Sequence, residues 1–161
     1  MTAAGLRRAM VLGVAAGAVL AGCGDAPGEL SLETAWVEPS PAGSGPAGGF
    51  LTVRNGSDRP RTLVAAASPA AARVEIHRSW LDEGGVARMA RLESVEIPAG
   101  GELRFAPGGH HLMLFGGTDW AAGERVTLEL VFDGDERREI SAAVRPAAAG
   151  ASPADAAGHS H

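Results

Sequence analysis

Apolar residues alternate with polar ones in short runs between Ser31 and Arg145, and clusters of glycine, proline, asparagine and aspartate separate the runs. This arrangement is typical of an all-β sandwich or barrel. No long stretch repeats its apolar residues with the roughly 3.6-residue period of an amphipathic helix. The pattern predicts strands at residues 34–37, 49–54, 62–66, 73–81, 86–92, 95–97, 102–105, 111–115, 125–132 and 138–144.

The alternation also predicts which side chains face the core. Every second residue from Val126 to Phe132 is apolar, so this set belongs to the buried face of its strand. Ile76 alternates with Glu75 and His77 in the same way. If Ile76 points inward, both polar neighbours point outward, and we therefore expect His77 to be accessible.

A second polar position lies on the predicted strand 111–115. His111 and Met113 are two residues apart, so their side chains leave the same face of the strand, about 6.6 Å apart at Cα. Leu112 points to the other face, which we expect to be the core. The strand thus presents a histidine and a methionine together, close enough to chelate one ion.

Met89 follows a turn at residues 83–85, and the strand before that turn carries His77. A hairpin would bring these two residues near each other. The whole set then offers two imidazoles and two thioethers, a combination of soft ligands that favours Cu(I) over zinc or Cu(II). The sequence predicts a Cu(I) site formed by His77, Met89, His111 and Met113.

These residues resemble the PCu(A)C family of periplasmic copper chaperones. The family pattern is His, often Met, ten residues, Met, twenty-one residues, His, any residue and Met, and the four residues here have that spacing. Arg78 replaces the optional methionine, but it alternates to the face opposite His77, so the ligand set is unaffected. The resemblance extends to segments 35–36, 47–55, 97–101 and 107–109.

The resemblance implies a cupredoxin-like Greek-key β-barrel in a single domain, residues 31–146. It also implies that the protein binds Cu(I) and passes it to cytochrome c oxidase assembly. The acceptor would be the copper subunit of the oxidase or a Sco-type protein. Softness of the ligands suggests the mechanism, which is stepwise ligand exchange with a thiolate-bearing acceptor.

His110 adjoins His111 and offers another imidazole. On a regular strand the two side chains point to opposite faces, so we expect His110 to contact solvent or a backbone partner. A bulge at the preceding Gly108 and Gly109 would exchange the two histidines. Three tryptophans, Trp36, Trp80 and Trp120, are expected to pack, although Trp80 is near enough in sequence to shield copper from water.

The N-terminus resembles an export signal. Two arginines precede an apolar and small-residue run at 9–21, which is shorter than the about 20 residues needed to cross a bilayer. The run ends in Leu-Ala-Gly-Cys at Cys23, the only cysteine in the chain. We expect residues 1–22 to be a lipoprotein signal peptide, Cys23 to carry the lipid, and 23–30 to be a linker. The domain would then be anchored to a membrane and face the periplasm or the outside of the cell; an uncleaved signal anchor is the alternative.

Residues 147–161 hold no bulky apolar side chain, and we expect them to form a disordered tail. His159 and His161 in this tail could form a second site that prefers Cu(II), although two histidines near a terminus are more often solvated.

Charge and motifs narrow the remaining function classes. The formal net charge of −5 argues against a nucleic-acid partner. No motif pairs a nucleophile with a base, so an enzyme is not expected. A blue-copper electron carrier needs a thiolate ligand, and the only cysteine is the one expected to carry the lipid, so this class is excluded as well. Two alternatives remain: a protein that sequesters copper for tolerance, and an adhesion or interaction module that binds no metal.

Histidine ligation also predicts a pH dependence. An imidazole must be deprotonated to bind a metal, so copper affinity should weaken below about pH 6.5.

Overall fold

The computed structural model describes residues 28–40, 45–117 and 120–146. The signal segment, Cys23 and the C-terminal tail lie outside these ranges. Among the described residues, no helix has the length and apolar character to cross a membrane. The described chain forms strands β1 (Leu30–Glu38), β2 (Ala47–Asn55), β3 (Arg61–Ala67), β4 (Arg73–Leu81), β5 (Ala87–Leu92), β6 (Val95–Ile97), β7 (Glu102–Phe105), β8 (His110–Phe115), β9 (Arg125–Phe132) and β10 (Arg137–Val144), with a 3-10 helix at Asp133–Asp135.

The all-β prediction is confirmed, and each predicted strand is present. The largest difference in bounds is at β1, which begins at Leu30 rather than at residue 34. A bulge between Glu33 and Trp36, with Thr34 at a φ of 51°, interrupts the alternation of this strand. Because a bulge breaks the two-residue period, the first half of the strand does not appear in the pattern. Leu30, expected to end the linker, is buried.

The strands form one sheet in the order β5-β4-β8-β7-β2-β1-β10-β9-β3-β6. The pairs β1 with β10 and β7 with β8 are parallel, and the other pairs are antiparallel. β3 also packs beside β4, so the sheet curls into a nearly closed barrel. β5 has a hydrogen-bonded neighbour on one side only, which makes it an edge strand.

The core confirms the predicted faces of the strands. Leu128, Leu130 and Phe132 are each 0% exposed, as the alternation in β9 predicted. Leu112 and Leu114 are also completely buried. The odd-numbered residues of β8 therefore face away from the core, and with them the histidine and methionine of that strand.

Candidate metal centre

β4 lies between β5 and β8, and its pairing with β8 builds the centre of the site. His77 is directly opposite His111, and Glu75 is directly opposite Met113. Directly opposed residues in an antiparallel pair share a face, with Cβ atoms about 4.5–5.5 Å apart. The structure therefore places His77, His111 and Met113 side by side on one face of the sheet, with Glu75 next to them.

Met89 lies on the other side of β4. The predicted hairpin is present, and Met89 is opposite Ser79 in it, diagonal to His77. Ser79 and Glu75 lie two residues to either side of His77 on β4, so Met89 and Met113 approach His77 from opposite sides along the strand. Met113 adjoins both histidines, whereas Met89 adjoins only His77. Met89 is also 54% exposed.

The orientation predicted for His77 is confirmed, but its accessibility is not. His77 faces away from buried Ile76, yet it is only 8% exposed. Arg91 on β5 and His111 on β8 both lie directly opposite it and flank its ring. A one-strand alternation pattern contains no information about such neighbours, and for that reason the sequence overestimated the exposure.

His111 has one ring nitrogen engaged and one free to bind. Its Nδ1–H donates to the carbonyl oxygen of Gly109 over 3.0 Å, which leaves the lone pair on Nε2 available. Burial, followed by repulsion from His77, lowers the pKa of His111 below that of an ordinary imidazole. The centroids of the two rings are 5.9 Å apart. His111 therefore stays neutral, which is the state that binds a metal, to lower pH than a solvated histidine.

His77 also has one nitrogen engaged. Its Nε2 is 2.9 Å from Oε2 of Glu75, and the other carboxylate oxygen, Oε1, accepts from Nε of Arg73 over 2.9 Å. These two contacts, with the His77 bond the larger, lower the pKa of Glu75. Nδ1 of His77 is buried and has no hydrogen-bond partner among the described residues. A buried nitrogen without a partner fits a role in metal binding, since native proteins satisfy nearly all such groups.

Sequence reasoning did not assign Glu75 to the site. The sequence does contain a feature that could have indicated Glu75: it lies two residues before His77, so both side chains are on one face of the strand. What the pattern could not supply was the position of Met113 directly across from Glu75.

His110 lies on the opposite face, as predicted. It is paired with Arg78, in the position next to the pair of His77 and His111. Its ring packs edge-on against Phe105, with 6.2 Å between centroids. Burial and then the charge of Arg78 lower its pKa. Gly108 and Gly109 thus do not exchange the two histidines, and Arg78 points away from the site.

Imidazole, thiolate and carboxylate ligands alone do not form a metal site in the part of the chain that the structure describes. There, no group of three His, Cys, Asp or Glu side chains is arranged to hold a metal ion. A metal on this face would therefore depend on thioether sulfur in addition to the imidazoles. Such ligands suit a soft ion.

Trp80 is 40% exposed, so it does not pack in the core. It is paired with Arg88, in the position next to the pair of Ser79 and Met89. Because neighbouring residues of a strand point to opposite faces, Trp80 lies on the face opposite the histidines. Shielding of the site by Trp80 is not supported by this position. Trp36 does pack as expected, stacking on Phe50 with 5.2 Å between ring centroids.

Comparison with known proteins gives the family. Residues 30–144 match the family model LpqE-like, described as "Putative lipoprotein LpqE-like". The chain is 30% identical over 117 residues to "Putative lipoprotein Lxx21020" of Leifsonia xyli subsp. xyli (strain CTCB07), covering 72% of this chain and 69% of that protein.

Solved structures agree with this match. The copper-bound PCuAC domain from PmoF2 superposes with a TM-score of 0.62 at 26% identity, covering 75% of this chain and 96% of that domain. The Cu(I)-bound solution structure of DR1885 from Deinococcus radiodurans gives a TM-score of 0.57 at 28% identity, covering 71% and 76%. The apo form of DR1885 covers 90% of this chain, with a TM-score of 0.56 at 25% identity. The chain belongs to the LpqE-like family and has the cupredoxin-like fold of the PCuAC domains.

Proposed function

We propose that this protein is an extracytoplasmic Cu(I) chaperone anchored to a membrane by a lipid. The observation that carries the proposal is the side-by-side arrangement of His77, His111 and Met113 on β4 and β8. Two solved structures similar to this chain are of copper-bound domains, which supports the same ion here. Two imidazoles and a thioether have the softness that Cu(I) prefers.

Met89 completes the proposed ligand set from the edge strand β5. It is diagonal to His77 and exposed, so its sulfur is the donor most accessible from solvent. An acceptor that approaches this face meets Met89 before it meets the buried His77. We therefore propose that Met89 is the first ligand to be exchanged, while His77, His111 and Met113 hold the ion.

The test is a Cu(I) titration of the purified protein against a colorimetric Cu(I) chelator. The parent chain is expected to bind one equivalent, and the double variant Met89→Leu/Met113→Leu is expected to lose binding. Met113→Leu alone should weaken binding more than Met89→Leu alone, because Met113 adjoins both histidines.

A matched pair of histidine variants provides the control. His111→Asn should lose Cu(I) binding, whereas His110→Asn should retain it, since His110 faces the other side of the sheet. Equal losses in both variants would mean that copper binding does not occur at this face. No binding by the parent chain would leave a metal-free adhesion or interaction module as the better function.

Delivery of the ion is a separate part of the proposal. Ligand exchange predicts that the copper-loaded protein transfers Cu(I) to an apo acceptor bearing thiolates, such as the copper subunit of cytochrome c oxidase or a Sco-type protein. The transfer assay mixes loaded protein with each apo acceptor and measures copper in both after separation. Retention of all copper by the donor would favour sequestration for copper tolerance instead.

A deletion strain separates the two uses of copper in the cell. A delivery protein is needed under copper limitation, so its loss should lower oxidase activity there. A sequestering protein is needed under copper excess, so its loss should reduce growth there.

Attachment through a lipid on Cys23 is supported by the names of the matching family and relative, which both contain the words "Putative lipoprotein". Cys23, and the Cu(II) site predicted at His159 and His161, lie outside the described residues and stay predictions.

A further inference from the structure

Glu75 is held in place at both ends of its carboxylate. Oε2 contacts Nε2 of His77, and Oε1 accepts from Arg73, whose guanidinium also lies 4.0 Å above the ring of Phe115. Arg91 approaches the same carboxylate at 4.0 Å. The side chain of Glu75 is only 15% exposed. This carboxylate therefore has a fixed position on the face that carries His77, His111 and Met113, and water does not compete strongly for its hydrogen bonds.

The contact between Glu75 and His77 restricts the protonation of the imidazole. A carboxylate only accepts hydrogen bonds, so Nε2 must carry the proton that joins the two groups. In the neutral ring, Nδ1 then carries the lone pair. Nδ1 is the nitrogen that is buried and has no partner among the described residues. Metal binding at Nδ1 would satisfy this nitrogen without breaking the bond to Glu75.

Metal binding at Nε2 would have a double cost. It would remove the hydrogen bond to the carboxylate, and it would leave a protonated Nδ1 buried without an acceptor. A buried donor without an acceptor loses its bonds to water and gains none in return. Histidines that bind metals commonly donate their second ring N–H to a carboxylate, which fixes the tautomer and the orientation of the ring.

We infer that Glu75 is a positioning residue of the copper site, and that it assigns Nδ1 of His77 as the nitrogen that binds Cu(I). His111 is assigned the opposite way, because Gly109 engages its Nδ1 and leaves Nε2. The two imidazoles thus bind through different nitrogens. The inference rests on the proposed function for the identity of the ion, but the state of His77 without copper depends only on Glu75.

The experiment uses protein labelled with ¹⁵N in histidine and measures two-bond ¹H–¹⁵N correlations, which report which ring nitrogen is protonated. Without copper, His77 is expected to be protonated at Nε2 and His111 at Nδ1. Addition of Cu(I) should shift Nδ1 of His77 and Nε2 of His111, with the proton on Nε2 of His77 retained.

Variants of Glu75 connect the tautomer to affinity. Glu75→Ala should give a mixture of His77 tautomers and about a 10–100-fold loss in Cu(I) affinity. Glu75→Gln keeps an acceptor oxygen and should retain the tautomer and most of the affinity. Glu129→Ala is the matched control, because Glu129 is also a half-buried strand carboxylate paired with an arginine, Arg137, but on β9. It should leave both readouts unchanged.

Two results would overturn the inference alone. One is a parent chain that binds Cu(I) at Nε2 of His77; the other is a Glu75→Ala variant with the parent's tautomer and affinity. A parent chain that does not respond to Cu(I) would overturn the proposed function and the copper assignment with it. In that case the correlations of the copper-free protein would still show whether Glu75 sets the tautomer.

Discussion

Asn55 shows how much one buried polar side chain can organise. It is 1% exposed at the end of β2. Its amide nitrogen donates to the carbonyl oxygens of Arg59, Ile97 and Pro98 over 2.8, 3.1 and 3.0 Å, and its oxygen accepts from the backbone and hydroxyl of Ser57. In the sequence, it is one of the glycine, proline, asparagine and aspartate residues that separate the apolar runs. In the structure, this residue joins two distant turns.

Asn55→Ala is expected to lower the free energy of unfolding by about 1–3 kcal/mol, because it leaves buried carbonyl groups without a donor. Urea unfolding measures the change. Ser57→Ala, which removes only one partner of the same network, should cost less. A variant of Asn55 as stable as the parent would show that water replaces the amide.

The position of β8, the strand that carries His111 and Met113, depends on its close approach to a glycine on β2. Gly49 is directly opposite Leu112, and a Cβ atom added at Gly49 would lie 2.9 Å from Cδ1 of Leu114 and 3.1 Å from Cβ of Leu112. The absence of a side chain allows the two strands to approach while both leucines stay buried. Packing of the core face thus sets the position of His111 and Met113 on the other face of the same strand.

Gly49→Ala is therefore expected to destabilise the fold by about 1–3 kcal/mol through overpacking, and to weaken Cu(I) binding by displacing β8. Thermal unfolding and the Cu(I) titration measure the two effects. Gly84→Ala in the turn between β4 and β5 is the control, since its Cβ would meet only Oδ1 of Asp82 at 3.4 Å. Equal stability of the two variants would contradict the close approach of β2 and β8.

A nearly buried arginine on β3 pairs with the turn that follows the neighbouring strand β9. Arg61, at the start of β3, has an 8% exposed side chain and pairs with Asp133 and Glu136, which flank the turn between β9 and β10, over 3.0 and 2.6 Å. The backbone N–H of Thr62 also donates to Asp133. These contacts connect β3, near one end of the sheet order, to the β9–β10 hairpin.

The same contacts predict how stability depends on pH. The backbone N–H of Thr62 and then Arg61 lower the pKa of Asp133 in the folded protein. A lowered pKa stabilises the fold at pH values above the unfolded pKa of about 3.9, and the stabilisation is lost as the pH falls through the folded pKa.

We therefore expect the melting temperature of the parent chain to fall between about pH 5 and pH 3. Asp133→Asn should be less stable than the parent at pH 7 and should show a smaller fall. Glu96→Gln, at an exposed carboxylate of β6, is the control and should follow the parent. Parallel curves for Asp133→Asn and the parent would contradict the role of this carboxylate.

Local pattern was sufficient for the strands, their inward faces and the hairpin between His77 and Met89. Those features depend on residues that are neighbours in the chain, because the two-residue period of a strand and the geometry of a tight turn are local properties. The bulge at Thr34 is the main exception, since the extra residue removes the period itself. Residue type alone also determined that any metal bound by this set would be soft.

Only the tertiary structure decided how β8 pairs with β4. More than thirty residues separate His77 from His111 in the chain, and no local pattern specifies which residues of two distant strands are opposite each other. That register is set by the burial of Ile76, Leu112 and Leu114 in a common core. It places Met113 beside both histidines, leaves Met89 at the exposed edge, and buries His77 with its carboxylate partner. A one-residue slip would send every one of these side chains to the other face, and the cost of exposing the core excludes it.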